Sequence, residues 1–180
     1  MRKISLVLII ASLSALLAVA AFAQSNPKAE SSSSDKSLVW HKYDKALELA
    51  AKQDKHVMVF FTTSWCGYCK KMKKSTFTDN DVYKIMSGDF VLAVVDGDSQ
   101  NKVKVTDRDG IVREITERQL SRSYGVKGFP TTLFLKPDGT AIAPISGYRG
   151  ADEFALVLRF ISTDSWETMS FSDFAKKEKS

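Results

Sequence analysis

Two cysteines occur in the 180-residue chain, Cys66 and Cys69, with Gly67 and Tyr68 between them. This spacing lets the two sulfurs bridge when oxidised and lets the first exchange with another molecule when reduced, so the pair reads as a dithiol switch. Trp65 precedes it, and Lys70-Lys71-Met72-Lys73-Lys74 follow with no helix breaker. The cysteines therefore sit where a strand gives way to a helix. The unpaired N–H groups at a helix start carry partial positive charge, which stabilises a thiolate at Cys66 and places its pKa below the free value of about 8.5. Lys70 and Lys71 add a smaller contribution, because exposed charges are screened. Cys66 is then the attacking sulfur, and Cys69, one turn into the helix and more buried, resolves the mixed disulfide.

Other uses of two thiols fit less well. A metal site could recruit His41 and His56, the only histidines, but both precede the cysteines at separations unlike those of zinc modules, so no metal is expected. Covalent haem attachment needs histidine directly after the second cysteine, and Lys70 stands there. An inert bridge across two residues closes too short a loop to stabilise much.

The elements that must hold the pair follow from hydrophobic pattern. Trp40, Tyr43, Ala46, Leu47, Ala50 and Ala51 recur every three or four residues, which predicts an amphipathic opening helix. His56 to Thr62 and Phe90 to Asp96 are continuous apolar runs rich in β-branched and aromatic residues, the pattern of strands covered on both faces. Asp79 and Thr78 offer a cap to a short helix through Val82, Ile85 and Met86. Between residues 97 and 117, alternation at Val103 and Val105, turn chemistry at Asp107-Arg108-Asp109-Gly110, then Ile111 and Ile115 predict an exposed hairpin. Thr116 with Gln119 forms a capping box for a helix reaching Tyr124. Strands at Thr131 to Leu135 and Ala141 to Ile145 flank a Pro137-Asp138-Gly139 turn, and an amphipathic helix runs from about Ala151 to Ile161. The tail from Ser165 to Ser180 reads as a short helix with a charged end. The succession predicts an α/β sandwich: a mixed sheet with helices on both faces.

The first residues read differently. Met1-Arg2-Lys3 is basic, Ile4 to Ala20 is almost wholly apolar, and Ala21-Phe22-Ala23 has the small residues of a cleavage site, so 1–23 is expected to be a secretory signal peptide. The alternative is an uncleaved anchor, since the apolar run is just long enough for a bilayer of about 30 Å. Residues 24–37, with four consecutive serines, are expected to be a flexible linker. Without 1–23 the net charge falls from +5 to +3 over 157 residues. No basic stripe interleaved with aromatics is present, and nucleic acid is not an expected partner.

Trp65-Cys66-Gly67-Tyr68-Cys69 after a hydrophobic strand, with Gly128-Phe129-Pro130-Thr131 about sixty residues later, resembles the thioredoxin superfamily from about Leu38 to Ile161. The resemblance implies a thioredoxin-like three-layer α/β/α sandwich over 38–180, with a central mixed sheet and an inserted hairpin plus helix. It implies that Pro130 is a cis-proline facing the cysteines, and that Phe129 leaves its backbone open to pair with an extended substrate, a form of strand addition. Trp65, Gly67, Tyr68, Phe129 and Pro130 are thus the expected substrate-binding residues around catalytic Cys66 and Cys69, with no cofactor. The opening helix, the insert and Gly147-Tyr148-Arg149-Gly150 are similar to exported thioredoxin-related proteins of sulfur-oxidation systems. Two departures matter. Thioredoxin has Gly-Pro between its cysteines, and Gly67-Tyr68 is similar instead to periplasmic disulfide isomerases. Thioredoxin also carries an aspartate six residues before its first cysteine, where Phe60 stands here. The expectation is a monomeric periplasmic thiol:disulfide oxidoreductase, mainly a reductase, acting on cysteine-containing exported proteins and recharged by a membrane thiol reductase. A disulfide oxidase or isomerase, or a non-catalytic binding or metal-delivery module on the same fold, are the alternatives.

Overall fold

A computed structural model describes residues 37–106 and 109–179. The leader read at 1–23, the linker up to residue 36, and the Asp107-Arg108 half of the hairpin turn lie outside the described residues. The elements in chain order are β1 (Trp40–His41), α1 (Tyr43–Gln53), β2 (His56–Thr62), α2 (Gly67–Ser75), α3 (Asn80–Asp89), β3 (Phe90–Asp96), β4 (Lys102–Thr106), β5 (Val112–Thr116), α4 (Glu117–Ser123), β6 (Thr131–Leu135), β7 (Ala141–Ser146), α5 (Ala151–Ser162) and α6 (Phe171–Lys177).

Five strands form a mixed sheet in the order β1-β3-β2-β6-β7. The central strand β2 runs parallel to β3 (Val57 opposite Val91, Thr62 opposite Asp96) and antiparallel to β6 (Val59 opposite Leu133). Its apolar run is continuous because both faces are covered, and alternate residues go to opposite layers. Met58 and Phe60 join Leu92 and Phe134 against Met72 of α2, Met86 of α3 and Phe154 and Leu158 of α5. Val57, Val59 and Phe61 join Ala93, Val95 and Leu133 against Tyr43, Ala46 and Ala50 of α1 and Leu120 of α4. The result is the three-layer α/β/α sandwich with a central mixed sheet that the pattern implied. The Thr116–Gln119 capping box is formed in both directions at the head of α4.

Two local expectations are corrected. Trp40 does not belong to the opening helix: with His41 it forms β1, paired to Leu92 and Ala93. The backbone of Lys42 is extended (φ −64°, ψ 153°), so helix winding starts only at Tyr43, and Trp40 turns instead onto Phe60 and Phe77, at 6.1 and 5.7 Å between ring centres. Three-residue spacing between Trp40 and Tyr43 is equally produced by a strand, one cap residue and a helix. The inserted hairpin is also not wholly exposed. Val103 of β4 is buried in the layer under α1, opposite Ile115 of β5, while Ile111 and Val112 at the tip stay exposed.

Candidate active site

β2 delivers the chain to the site. After Thr62 the backbone turns through Thr63, Ser64 and Trp65, with Cys66 N–H bonded to the Thr63 carbonyl at 3.3 Å, and Cys66 becomes the N-cap of α2. Its sulfur takes the place a serine or aspartate oxygen usually has at a helix start: Sγ accepts the Cys69 N–H at 3.1 Å. That donor favours negative charge on the sulfur, in the same sense as the helix dipole, and no acidic residue lies in the first turn to oppose it. Cys66 and Cys69 are joined by a disulfide, with their Cα atoms 5.3 Å apart.

Both cysteines are buried, Cys69 at 1% exposure and Cys66 at 4%. Cys69 is thus slightly the deeper of the two, and Cys66 is not open at the surface either. Gly67, next to Cys66, is exposed, and a Cβ added to it would meet nothing within 4 Å. Trp65 and Tyr68, 67% and 64% exposed, stand on either side of it in sequence.

Trp65 is oriented from two directions. Its indole Nε1 donates to Asp98 Oδ2 at 2.6 Å, and its ring meets Phe129 edge-on at 6.1 Å. Asp98 is held in turn by Arg118 of α4, at 3.8 Å from its other oxygen. The Phe129–Pro130 peptide is cis, Pro130 is buried, and its carbonyl accepts the Gly147 N–H at 2.8 Å. Half-buried Phe129 touches both core layers, and its ring lies so close to Gly97 that a Cβ there would fall 2.1 Å from Cζ. On the other side, Tyr68 packs on Tyr148 at 6.1 Å. Contacts with Ser75 and Thr76, helped by the Lys71 ammonium 4.8 Å above the ring, lower the Tyr148 phenol below its ordinary pKa.

The structure thus brings Trp65, Gly67, Tyr68 and Phe129 around the cysteine pair. The histidines lie elsewhere: His41 is in β1, and His56 opens β2 beside Asp164 at 3.1 Å, about 20 Å of strand before the turn to Cys66. Phe60, where thioredoxin carries aspartate, is fully buried in the layer that also contains both cysteines, 5.0 Å from Phe77. Gly97, Asp98 and the buried, unpartnered hydroxyl of Thr63 carry no site signal in the sequence, and Tyr148 enters there only through the Gly147-Tyr148-Arg149-Gly150 resemblance.

Comparison with known proteins decides the family. A family described as a thioredoxin-like domain matches residues 43–162. The chain belongs to the thioredoxin-like family. It is 29% identical over 103 residues to a protein disulfide-isomerase of Ricinus communis, covering 57% of this chain and 18% of that one. It is 27% identical over 107 residues to the disulfide bond reductase DsbH of Chlamydia pneumoniae, covering 59% of this chain and 61% of that one. A thioredoxin-fold protein from Helicobacter pylori superposes with a TM-score of 0.60 at 24% identity, over 71% of this chain and 81% of that one, and shows the shared fold. The chain spans less than two thirds of the length of these two curated relatives. What it shares with these relatives is the thioredoxin-like domain at residues 43–162.

Proposed function

We propose that this protein is an exported, monomeric thiol:disulfide oxidoreductase that works chiefly as a reductase of disulfides in other exported proteins. The observation that carries the reading is the Cys66–Cys69 disulfide at the head of α2, flanked by exposed Trp65 and Tyr68. The reduced pair would act in two steps. The Cys66 thiolate attacks one sulfur of a substrate disulfide; that bond breaks, and the departing sulfur leaves as a thiolate and takes a proton from water. Cys69, having given up its proton, then attacks Cys66 Sγ, the mixed disulfide breaks, and the second substrate sulfur leaves. Two electrons pass from the protein dithiol to the substrate, and the disulfide described above is the product. With Phe60 in place of a carboxylate beneath the pair, the Cys69 proton passes to water or to another group. Phe129 and Pro130 provide the edge on which an extended substrate pairs, and Trp65, Gly67 and Tyr68 its rim.

Residues 1–23 act as the export signal and 24–37 as a linker to the domain at 38–180. In the oxidising periplasm a reductase must be recharged, and a membrane-embedded thiol reductase is the partner that fits. The likeness to exported relatives of sulfur-oxidation systems belongs to the same proposal. The name of the Chlamydia pneumoniae relative supports reduction, and that of the Ricinus communis relative favours isomerisation as the second reading. Acid quenching of intact cells followed by alkylation with a mass-shifting reagent tests the reductase reading against a disulfide oxidase. Mostly reduced Cys66 and Cys69, with a potential nearer about −270 than about −120 mV, is expected; a mostly oxidised pair with a potential near the higher value overturns the reductase reading.

A further inference from the structure

Helix α2 carries Lys70, Lys71, Lys73 and Lys74 within nine residues and no acidic residue. All four are exposed. Lys71 lies over the Tyr148 ring and Lys73 lies 5.7 Å from the centre of the Phe60 ring, but among the described residues no carboxylate is paired with any of the four. The acidic groups on adjoining segments are largely spoken for. Asp98 is bound by Trp65 and lies near Arg118, and Glu153 pairs with Arg149 at 2.9 Å. Asp79 caps α3, beyond the end of α2 remote from the cysteines. The helix start adds its own partial positive charge beside Cys66. The nucleophile therefore sits at one end of an uncompensated cationic surface, next to the Tyr68–Tyr148 pair.

We infer that this α2 surface selects polypeptide segments in which the disulfide cysteine is flanked by acidic residues. The inference rests on the oxidoreductase reading and names its substrate class. A single exposed ion pair contributes little. Four like charges clustered beside the reacting sulfur act together, steering an acidic segment toward Cys66 before contact. Over the roughly 8 Å screening length of physiological salt the field still reaches residues next to the substrate cysteine. The selection therefore acts on formation of the mixed disulfide and leaves its resolution by Cys69 unchanged.

The test uses the reduced protein and three disulfide-bonded peptides of one length, with the cysteines flanked by Asp and Glu, by Ser, or by Lys. The second-order rate of peptide reduction is measured at low and at high salt. The acidic peptide should react at least about tenfold faster than the basic one at low salt, with the ratio shrinking as salt is raised. In K70Q/K71Q/K73Q/K74Q the ratio should fall close to one, and K73Q/K74Q, further from the sulfurs, should give an intermediate value. Because each comparison is a ratio within one protein, a change in Cys66 reactivity cancels. Equal rates for the three peptides, or a ratio that survives in both variants, would overturn the inference while leaving the oxidoreductase reading intact. No reduction of even the Ser-flanked peptide would overturn both.

Discussion

The ring of Phe129 occupies the space a side chain at residue 97 would need, so the shape of the site's edge depends on a residue with no chemistry of its own. Gly97→Ala would drive the Phe129 ring away from Trp65 or push the end of β3 outward. Overpacking of this kind costs about 1–3 kcal/mol, and the displaced ring would disturb the docking edge beside Cys66. The expected result is a lower denaturation midpoint together with a several-fold drop in kcat/KM for disulfide reduction; unchanged values for both would show that the ring moves freely. At this scale the sequence was informative where the chemistry lies in residue type. The Cys66–Cys69 pair, Trp65 and Tyr68 stand where the motif put them. Gly97, Asp98 and Tyr148 were not legible, because their roles come from contacts across 32, 33 and 80 residues of chain, with Phe129, Trp65 and Tyr68. No local pattern encodes such contacts.

Elements were legible in proportion to how strongly one face is buried. β2 and β3 follow the bounds of their apolar runs because most of their residues are buried between the two layers. At Trp40 local spacing cannot distinguish the end of a strand from the first turn of a helix, and pairing with β3 decides it. The alternation around Val103 does not reveal its burial, because a two-stranded hairpin alternates in the same way whether or not a helix covers it; here α1 does. The helix that follows the hairpin is set by its cap, with Thr116 Oγ1 accepting the Gln119 N–H at 3.1 Å and Gln119 Oε1 accepting the Thr116 N–H at 2.8 Å. Thr116→Ala should cost about 1 kcal/mol in urea denaturation with an unchanged m-value.

The contact between α1 and the end of α4 is a hydroxyl pair, Tyr43 to Tyr124, with Tyr43 itself buried. Burial first, then the neighbouring Tyr124, pushes the Tyr43 phenol well above its ordinary value of 10.0. The folded protein keeps a proton that the unfolded chain gives up near pH 10, so this stabilisation is complete below about pH 10 and is lost as pH rises further. Tyr43→Phe should lower stability by about 1 kcal/mol at neutral pH, through the lost hydrogen bond. Its stability should then fall less steeply than the wild type's above about pH 10, which denaturation midpoints across pH 8 to 11 would record.

For the molecule as a whole, the division of labour follows from the two layers. One face of the sheet carries α1 and α4 and the inserted hairpin; the other carries α2, α3 and α5, with both cysteines packed into that layer. The reactive pair is thus built on the central strand and on a helix anchored by Met72 in the core, which fixes the sulfurs while leaving Trp65 and Tyr68 exposed at the surface. The fold could be read from sequence because strand, dithiol helix, strand, insert, Phe129-Pro130 and closing hairpin come in one order along the chain. What the molecule acts on lies in surface charge and shape, which sequence order does not record.

In the proposed mechanism Cys66 attacks and Cys69 resolves, and Cys69→Ser isolates the first step from the second. The variant should accumulate mixed disulfides with exported proteins, visible as adducts on non-reducing gels and mapped to Cys66 by mass spectrometry, while Cys66→Ser accumulates none and has no reductase activity. Absence of adducts from Cys69→Ser, or equal trapping through Cys69 in Cys66→Ser, would rule out these roles for the two cysteines.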